Sequence, residues 1–309
     1  LGSFLYKFVI YTIIWTLSCK STWGCQSCPG RRLRMNDYYE IAQKIKDADA
    51  ILIGASNGLS ITEGLNLFAD DEAFENLFKD YKEKYGFRKI LDGFFFRWNK
   101  QEEKWGFFSR LVNHYSGNYT TSSVMEDLKT IVGDKPYFIL TSNGEGHFEM
   151  SGFEPQRVYE LEGNWIELRC SRLCHDKTYP ALPIIRKLAE VEKNGLVSSE
   201  FLPKCPVCGA AMDLYNAQPP KQEVQMEWEK FCKDFHNKKI VILELGIGWR
   251  NQLIKAPLMR MTANEPHATY ITINLGEVYI PDNIKDTSYG LDGYLSDHLN
   301  KIKQAMVAK

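Results

Sequence analysis

The chain has 309 residues, 44% of them hydrophobic and 13% aromatic, and it sets 38 basic against 39 acidic side chains. That composition excludes a disordered chain, and the balanced charge leaves no basic field of the kind that nucleic acid or an anionic membrane surface would need. Compact domains commonly run to about 100–200 residues, so one large or two medium domains are allowed.

Within residues 1–34, Lys7 precedes an apolar run, Phe8-Val-Ile-Tyr-Thr-Ile-Ile-Trp-Thr-Leu17, which is too short to span a bilayer. The segment reads as translated upstream sequence or an unstructured extension, with a short export or anchoring signal as the alternative. From Met35 the pattern is regular. Tyr38, Ile41, Ile45 and Ala48 recur at helical spacing, Ala50-Ile-Leu-Ile53 is a buried-strand run, and Gly54-Ala-Ser-Asn-Gly-Leu-Ser60 breaks it. A strand, a glycine loop and a helix in that order open a nucleotide-binding α/β unit, because backbone N–H groups at a helix start can cradle a pyrophosphate.

Residues 64–130 are helical in pattern. Phe74, Leu77, Phe78, Tyr81 and Tyr85 share one face, followed by Phe94-Phe-Phe-Arg-Trp98 and Trp105-Gly-Phe-Phe108, and the stretch is expected to be a helical insertion packed on a cofactor cleft. Residues 124–132 form a further helix and residues 137–140 the next strand. A small zinc module is expected at about 165–213. The chain then returns to α/β with a helix over 223–235, strands over 239–245 and 268–274, and a last helix near 289–308. The expected fold is therefore α/β, a Rossmann-like parallel sheet carrying a helical insertion and an inserted zinc-binding module. Its first part runs over 35–164 and its second over 214–309.

Eight cysteines are present. Three, Cys19, Cys25 and Cys28, lie near the N-terminus, and Cys232 stands alone. Cys170 and Cys174 are separated by three residues and Cys205 and Cys208 by two, the latter within Pro203-Lys-Cys-Pro-Val-Cys-Gly209. Two close pairs across a long loop read as a metal clip and not as a disulfide framework, which favours a reducing, cytoplasmic setting. Four thiolates complete a tetrahedral Zn²⁺ shell with no position left for water, so the site is structural. His175 reads as a bystander, since adjacent residues seldom reach one ion.

Taken together, Gly54-Ala-Ser-Asn-Gly-Leu-Ser60, Thr141-Ser-Asn143, Leu161-Glu-Gly163, the paired cysteines, Glu244-Leu-Gly246 and Ile273-Asn274 resemble a sirtuin from Met35 onward. More narrowly, Asn143-Gly-Glu145 with Phe148, Cys170-Ser-Arg-Leu-Cys-His175, Lys177-Thr-Tyr179 and Leu243-Glu-Leu-Gly-Ile-Gly248 resemble the microbial class M, macrodomain-linked sirtuins. The resemblance implies an NAD site between the Rossmann-like sheet and the other modules. On it, Gly54, Ala55, Ser56, Gly58 and Ser60 belong to the phosphate loop, Asn143 and Glu145 meet nicotinamide and its ribose, and Gly246 and Asn274 meet the adenosine half. It also implies a protein substrate, with a lipoyl-carrier protein and a macrodomain protein as partners. Three positions depart from the family: Glu145 replaces an aspartate, the proline-aspartate-phenylalanine-arginine stretch after the glycine loop is absent, and Glu162 stands where the catalytic histidine is usual.

The last departure selects the chemistry. Deacylation needs a base poised near neutral pH, whereas an unperturbed glutamate titrates at about 4.3. A carboxylate suits the earlier stage, where nicotinamide leaves and positive charge develops on the ribose. The expectation is an NAD-dependent protein ADP-ribosyltransferase with Asn143, Glu145 and Glu162 as catalytic residues. A sirtuin-type deacylase and a non-catalytic NAD or ADP-ribose binding module are the alternatives. Asn143 as a mere turn cap, Glu162 as a solvated loop residue, and His147 and His267 without a role are the bland readings of the same residues.

Overall fold

The computed structural model describes residues 35–215 and 220–308. The expectations for residues 1–34, including Cys19, Cys25 and Cys28, lie outside the described residues. An amphipathic helix, α1 (Met35–Asp47), buries Tyr38, Ile41, Ala42 and Ile45 and leads into strand β1 (Ala50–Ala55), which is buried at every position. The glycine loop then enters a short helix, α2 (Asn57–Thr62). Four further helices follow: α3 (Glu72–Tyr85), α4 (Ile90–Phe95), α5 (Gln101–Val112) and α6 (Ser123–Val132). Asp71 caps α3 and Ser122 caps α6, each accepting from a backbone N–H of the first turn. A π-helical turn, Asn113–Gly117, joins α5 to the segment before α6.

Strand β2 (Tyr137–Thr141) is followed by a one-turn helix, α7 (His147–Met150), and by strand β3 (Val158–Glu160). The chain then builds a small antiparallel sheet from β4 (Asn164–Cys170), β5 (Tyr179–Pro180) and, after helix α8 (Leu182–Val191), β6 (Met212–Tyr215). Helix α9 (Gln222–Asp234), strand β7 (Ile240–Leu245), helix α10 (Gln252–Asn264), strands β8 (Thr269–Asn274) and β9 (Ser288–Asp292), and helix α11 (Leu295–Val307) complete it.

The main sheet is parallel throughout, in the order β3-β2-β1-β7-β8-β9. Central strands in such a sheet are covered on both faces, which is why β1 reads as an unbroken apolar run and β7 as one interrupted only by Glu244. One face carries α1, α6 and α11, with Ile41, Leu128 and Leu299 fully buried, and the other carries α9 and α10, with Phe231, Ile254 and Leu258. Full burial of such a side chain contributes about 1.5–3 kcal/mol. Strand order reverses between β1 and β7, and in sheets of this topology the crevice at the carboxyl ends of those strands is where ligands bind.

A second core lies beside the sheet. Phe74, Phe78, Tyr81, Trp105, Phe107 and Leu111 of the helical stretch share it with Leu168, Cys170, Ile185, Leu188, Cys205 and Met212 of the cysteine region. Phe94 and Trp165 meet at a centroid distance of 5.4 Å and stitch the two halves together. The helices and the cysteine module, expected as separate insertions, thus pool one hydrophobic interior. Each alone is too small to bury its aromatic faces. Two details differ from the sequence reading: α6 packs with α1 and α11 on the sheet, and Ser288–Asp292 is an edge strand, so the last helix starts at Leu295. A five-residue strand of mixed exposure has too little pattern to distinguish it from a helix start.

Candidate functional site

At the switch point the first loop is held by side chains that the sequence scatters. Asn251, just before α10, donates to Ser56 Oγ at 2.8 Å and to Ser142 Oγ at 3.0 Å, and the two serine hydroxyls are 3.0 Å apart. Gly58 donates its N–H to Gly246 O at 2.9 Å. A Cβ on Gly58 would lie 2.5 Å from Gly246 Cα, so only glycine allows the two loops to touch, and Gly246 also holds φ at +62°. The Gly58 N–H is therefore committed to the protein and not free for a phosphate. Gly54 has a different reason again: it sits inside β1, where a Cβ would strike Leu258 Cδ1 at 2.2 Å. Its role is to let α10 close on the sheet. Ala55 ends the same strand, and Asn274 ends β8 with its amide donating to Glu277 O at 3.1 Å.

The loop after β2 brings Asn143 to the same end of the sheet. Its backbone N–H is fixed by Thr141 Oγ1 at 3.0 Å, yet its side chain, 6% exposed, leaves both Oδ1 and Nδ2 without a hydrogen-bond partner. A buried carboxamide that caps nothing costs about 1–3 kcal/mol, which a ligand offering one donor and one acceptor would recover. This is the observation that fits a nicotinamide-ribose subsite, and the turn-cap reading fails because no cap bond is made.

Behind Asn143 lies a buried ionic cluster of Glu63, Glu145 and His147, whose ligand atoms lie within 4.8 Å of one another. His147 Nδ1 faces Glu63 Oε2 at 2.9 Å and Nε2 faces Tyr115 O at 2.9 Å. Both neighbours only accept, so both ring nitrogens carry hydrogen and the ring is a cation. Burial opposes that charge, but the Glu63 hydrogen bond and both carboxylates raise the His147 pKa above its ordinary value. Tyr119 stacks on the ring at 3.6 Å, and its hydroxyl and that of Ser122 donate to Glu63 Oε1. Against burial, the His147 hydrogen bond and charge, helped by those two hydroxyls, hold Glu63 below the usual carboxylate range. Burial raises Glu145, whose Oε1 accepts from Ser60 Oγ at 2.6 Å. Ser60, expected at the phosphates, is thus a support for Glu145. His147 was given no role from sequence, because its partners lie 84 and 32 residues away.

Glu162 lies in the turn between β3 and β4. That turn is tied to the Asn143 loop on both sides, by Leu161 N–H to Thr141 O at 2.8 Å and Trp165 N–H to Gly144 O at 2.7 Å. The residue is exposed, makes no hydrogen bond among the described residues, and has its carboxyl raised by the protein mass on its inner side. It is a free carboxylate at the mouth of the loop and not a buried base.

Cys170, Cys174, Cys205 and Cys208 converge, with Cys170 and Cys208 Sγ 3.5 Å apart and Cys174 and Cys205 Sγ 3.7 Å apart. Tetrahedral coordination at about 2.3 Å per bond separates sulfurs by close to these distances, so the four cysteines are positioned to bind a metal, consistent with zinc. His175 Nε2 approaches Cys205 Sγ at 3.6 Å and belongs to the surroundings of the clip.

A second buried charge pair joins β7 to α10. Glu244 and Lys255 are both fully buried and 2.5 Å apart, and Glu244 also accepts from Thr272 at 2.8 Å and from Tyr270. Sequence pattern missed Lys255, which sits in an ordinary helix.

No family model matches the chain. It is 31% identical over 262 residues to a Staphylococcus aureus (strain Mu50) protein named protein ADP-ribosyltransferase, spanning 80% of this chain and 81% of that one. It is 28% identical over 220 residues to a Fusarium oxysporum f. sp. cubense protein named probable bifunctional ADP-ribose hydrolase/ADP-ribosyltransferase; the match takes in 66% of this chain but only 36% of that longer protein. Among solved structures, a Sir2 homolog–NAD complex matches with a TM-score of 0.56 at 13% identity, over 90% of this chain and 95% of that one. A Sir2 bound to acetylated peptide matches at 0.52 and 16%, over 88% and 98%. At such identities the structural matches speak to the fold.

Proposed function

This chain belongs to the sirtuin family, and from that premise we propose that it is a sirtuin-type, NAD-dependent protein ADP-ribosyltransferase acting on a protein acceptor. The observation that carries the reading is the buried, wholly unpartnered carboxamide of Asn143 at the switch point of a parallel sheet. In this reading Ala55, Ser56, Gly246 and Asn274 line the dinucleotide, while the Asn143 amide meets nicotinamide ribose with one donor and one acceptor. When bound, NAD supplies the glycosidic bond whose cleavage releases nicotinamide. Glu145, held by Ser60 and the His147 cation, keeps the wall behind Asn143 rigid, and Glu162 presents negative charge at the mouth. Preorganised charge at such a place contributes to cleavage without needing to move a proton.

The deacylase alternative is weaker on this geometry. A base for that chemistry should sit in a fixed hydrogen bond, with a partner to orient it, and Glu162 has none. The relatives' names point the same way. The four cysteines act in structure, holding β4 and β6 in register beneath the acceptor side. The class M placement, a lipoyl-carrier acceptor, a macrodomain partner and a cytoplasmic location belong to this proposal and rest on the resemblance of the motifs. No described helix is long and apolar enough to cross a membrane.

The deciding experiment incubates the full chain with NAD labelled in the adenylate part, with and without an extract of its own cells. The expected result is nicotinamide release together with label stably attached to protein. Label recovered on a small freed acyl group, with none on protein, would overturn the transferase reading in favour of deacylation.

A further inference from the structure

A cavity of about 370 Å³ opens on the far side of the turn that carries Glu162. Its walls come from both modules: Glu160 at the end of β3, Asn164 at the start of β4, Tyr215 at the end of β6, Glu223 and Val224 at the start of α9, and Glu149 of α7. The charged lining is acidic by three to one, Glu149, Glu160 and Glu223 against Lys221. Asn164 is 3% exposed and donates its amide to Glu160 Oε2 at 2.6 Å, while its Oδ1 accepts nothing. Turning the carboxamide over would only exchange which of its two polar atoms is orphaned. Lys221, the cation of the lining, is already paired with Glu167 at 2.5 Å. Three acidic side chains, Glu149, Glu160 and Glu223, thus share the space with a single cation that Glu167 already engages.

We propose that this cavity receives a cationic side chain of the acceptor protein, an arginine guanidinium or lysine ammonium, bound by Glu160 and Asn164 with its methylene stem against Val158, Tyr159 and Val224. The inference deepens the transferase reading and rests on it for the identity of the partner as a protein. A metal ion fits less well: among the described residues, the groups of metal-ligand type that converge within 4.8 Å are the four cysteines and the Glu63 cluster, and neither includes these carboxylates. The volume suits a side chain, and a stem of methylenes is what the apolar wall can cover.

The empty cavity has a protonation cost that makes the binding measurable. Burial pushes Glu160 up to about 8; its Asn164 hydrogen bond and Lys221 pull down, while Glu149 and Glu167 push up. Glu149 is itself raised by burial and by Glu167. Tyr159 and Tyr215, on the neighbouring strands, are raised by burial and stay neutral in the same range, and Glu223 faces solvent at the rim. Near neutral pH, Glu160 therefore holds its proton until a cation displaces it. Binding should release close to one proton and strengthen as pH rises toward 9.

The test titrates Nα-acetyl-argininamide into the full chain by calorimetry, in buffers of different ionisation enthalpy, with the neutral isostere Nα-acetyl-norleucinamide as control. Saturable binding is expected for the cation alone, at least tenfold tighter at pH 9 than at pH 6.5, with proton release at pH 7. Glu160→Gln should abolish the pH dependence. Because that change is internal, Glu223→Lys at the exposed rim gives an independent reading and should weaken binding about tenfold while nicotinamide release stays unchanged. Equal binding of the norleucine control, or arginine binding that neither variant alters, would overturn the proposal. Loss of nicotinamide release from the wild-type chain with arginine binding intact would sink the transferase reading and leave the cation pocket standing; the opposite result does the reverse.

Discussion

Two buried charge clusters flank the switch point, and they differ in what is left over. Around Glu244, Lys255, Thr272 and Tyr270 donate to both carboxylate oxygens, and the group is closed on itself. Around Glu145, Ser60 donates to the carboxyl and His147 pairs with Glu63, but the neighbouring Asn143 is left with both amide atoms unsatisfied. Burial is common to both clusters. The unspent hydrogen-bonding capacity is what separates them, since a fold that could satisfy Asn143 internally would gain about 1–3 kcal/mol by doing so.

Lys255 separates the two clusters most clearly. Lys255→Met leaves Glu244 buried and unpaired and is expected to cost about 3–5 kcal/mol, lowering the melting temperature by about 10 °C, while NAD affinity of the folded fraction is unchanged. Calorimetric melting alongside NAD titration checks it, and loss of affinity without loss of stability would erase the distinction drawn here. Asn143→Ala is the mirror image: nicotinamide release should fall about 100-fold or more with thermal stability unaltered, because no internal bond is lost. A variant that melts early would show that the amide has an internal partner after all.

Smaller effects sharpen the picture. The His147 pKa is raised in the fold, so the stability it contributes is complete below the unfolded value near 6.5 and is lost as pH rises through the folded value. Glu63 is lowered, so its contribution is present above its unfolded value and fades as pH falls through the folded one. The window of full stabilisation is therefore mildly acidic, between about pH 4.5 and 6.5. His147→Gln should be about 1–2 kcal/mol less stable than wild type at pH 5.5, a gap that narrows toward pH 9 in paired denaturant melts. A gap that widens with pH would mean the ring is neutral. At the exposed end, Glu162→Ala should slow label transfer only about tenfold, less than a desolvated partner would. Glu162→His should add measurable hydrolysis of acetyl-lysine peptide at some expense of transfer, as scored by peptide mass and protein label; unchanged transfer in both variants would reduce Glu162 to a solvated loop residue.

The sequence by itself determined the sheet and the clip. Ala50-Ile-Leu-Ile53 and the run over 239–245 are too apolar to lie anywhere but in the middle of a covered sheet, and Cys170, Cys174, Cys205 and Cys208 carry their chemistry in their spacing, because local geometry governs both signals. Tertiary structure alone decided what each polar residue near the switch point does. Gly54 and Gly58 lie four residues apart, yet one admits a helix and the other a facing backbone, a difference set by Leu258 and Gly246 some 200 and 188 positions further along the chain. His147 became a cation through Glu63 and Tyr115, and Glu160 became a raised carboxyl through burial, with Glu149 and Glu167 adding to it. Hydrogen bonds and buried charges act over a few ångströms, so their partners are fixed by how the chain packs and leave no periodic trace along it.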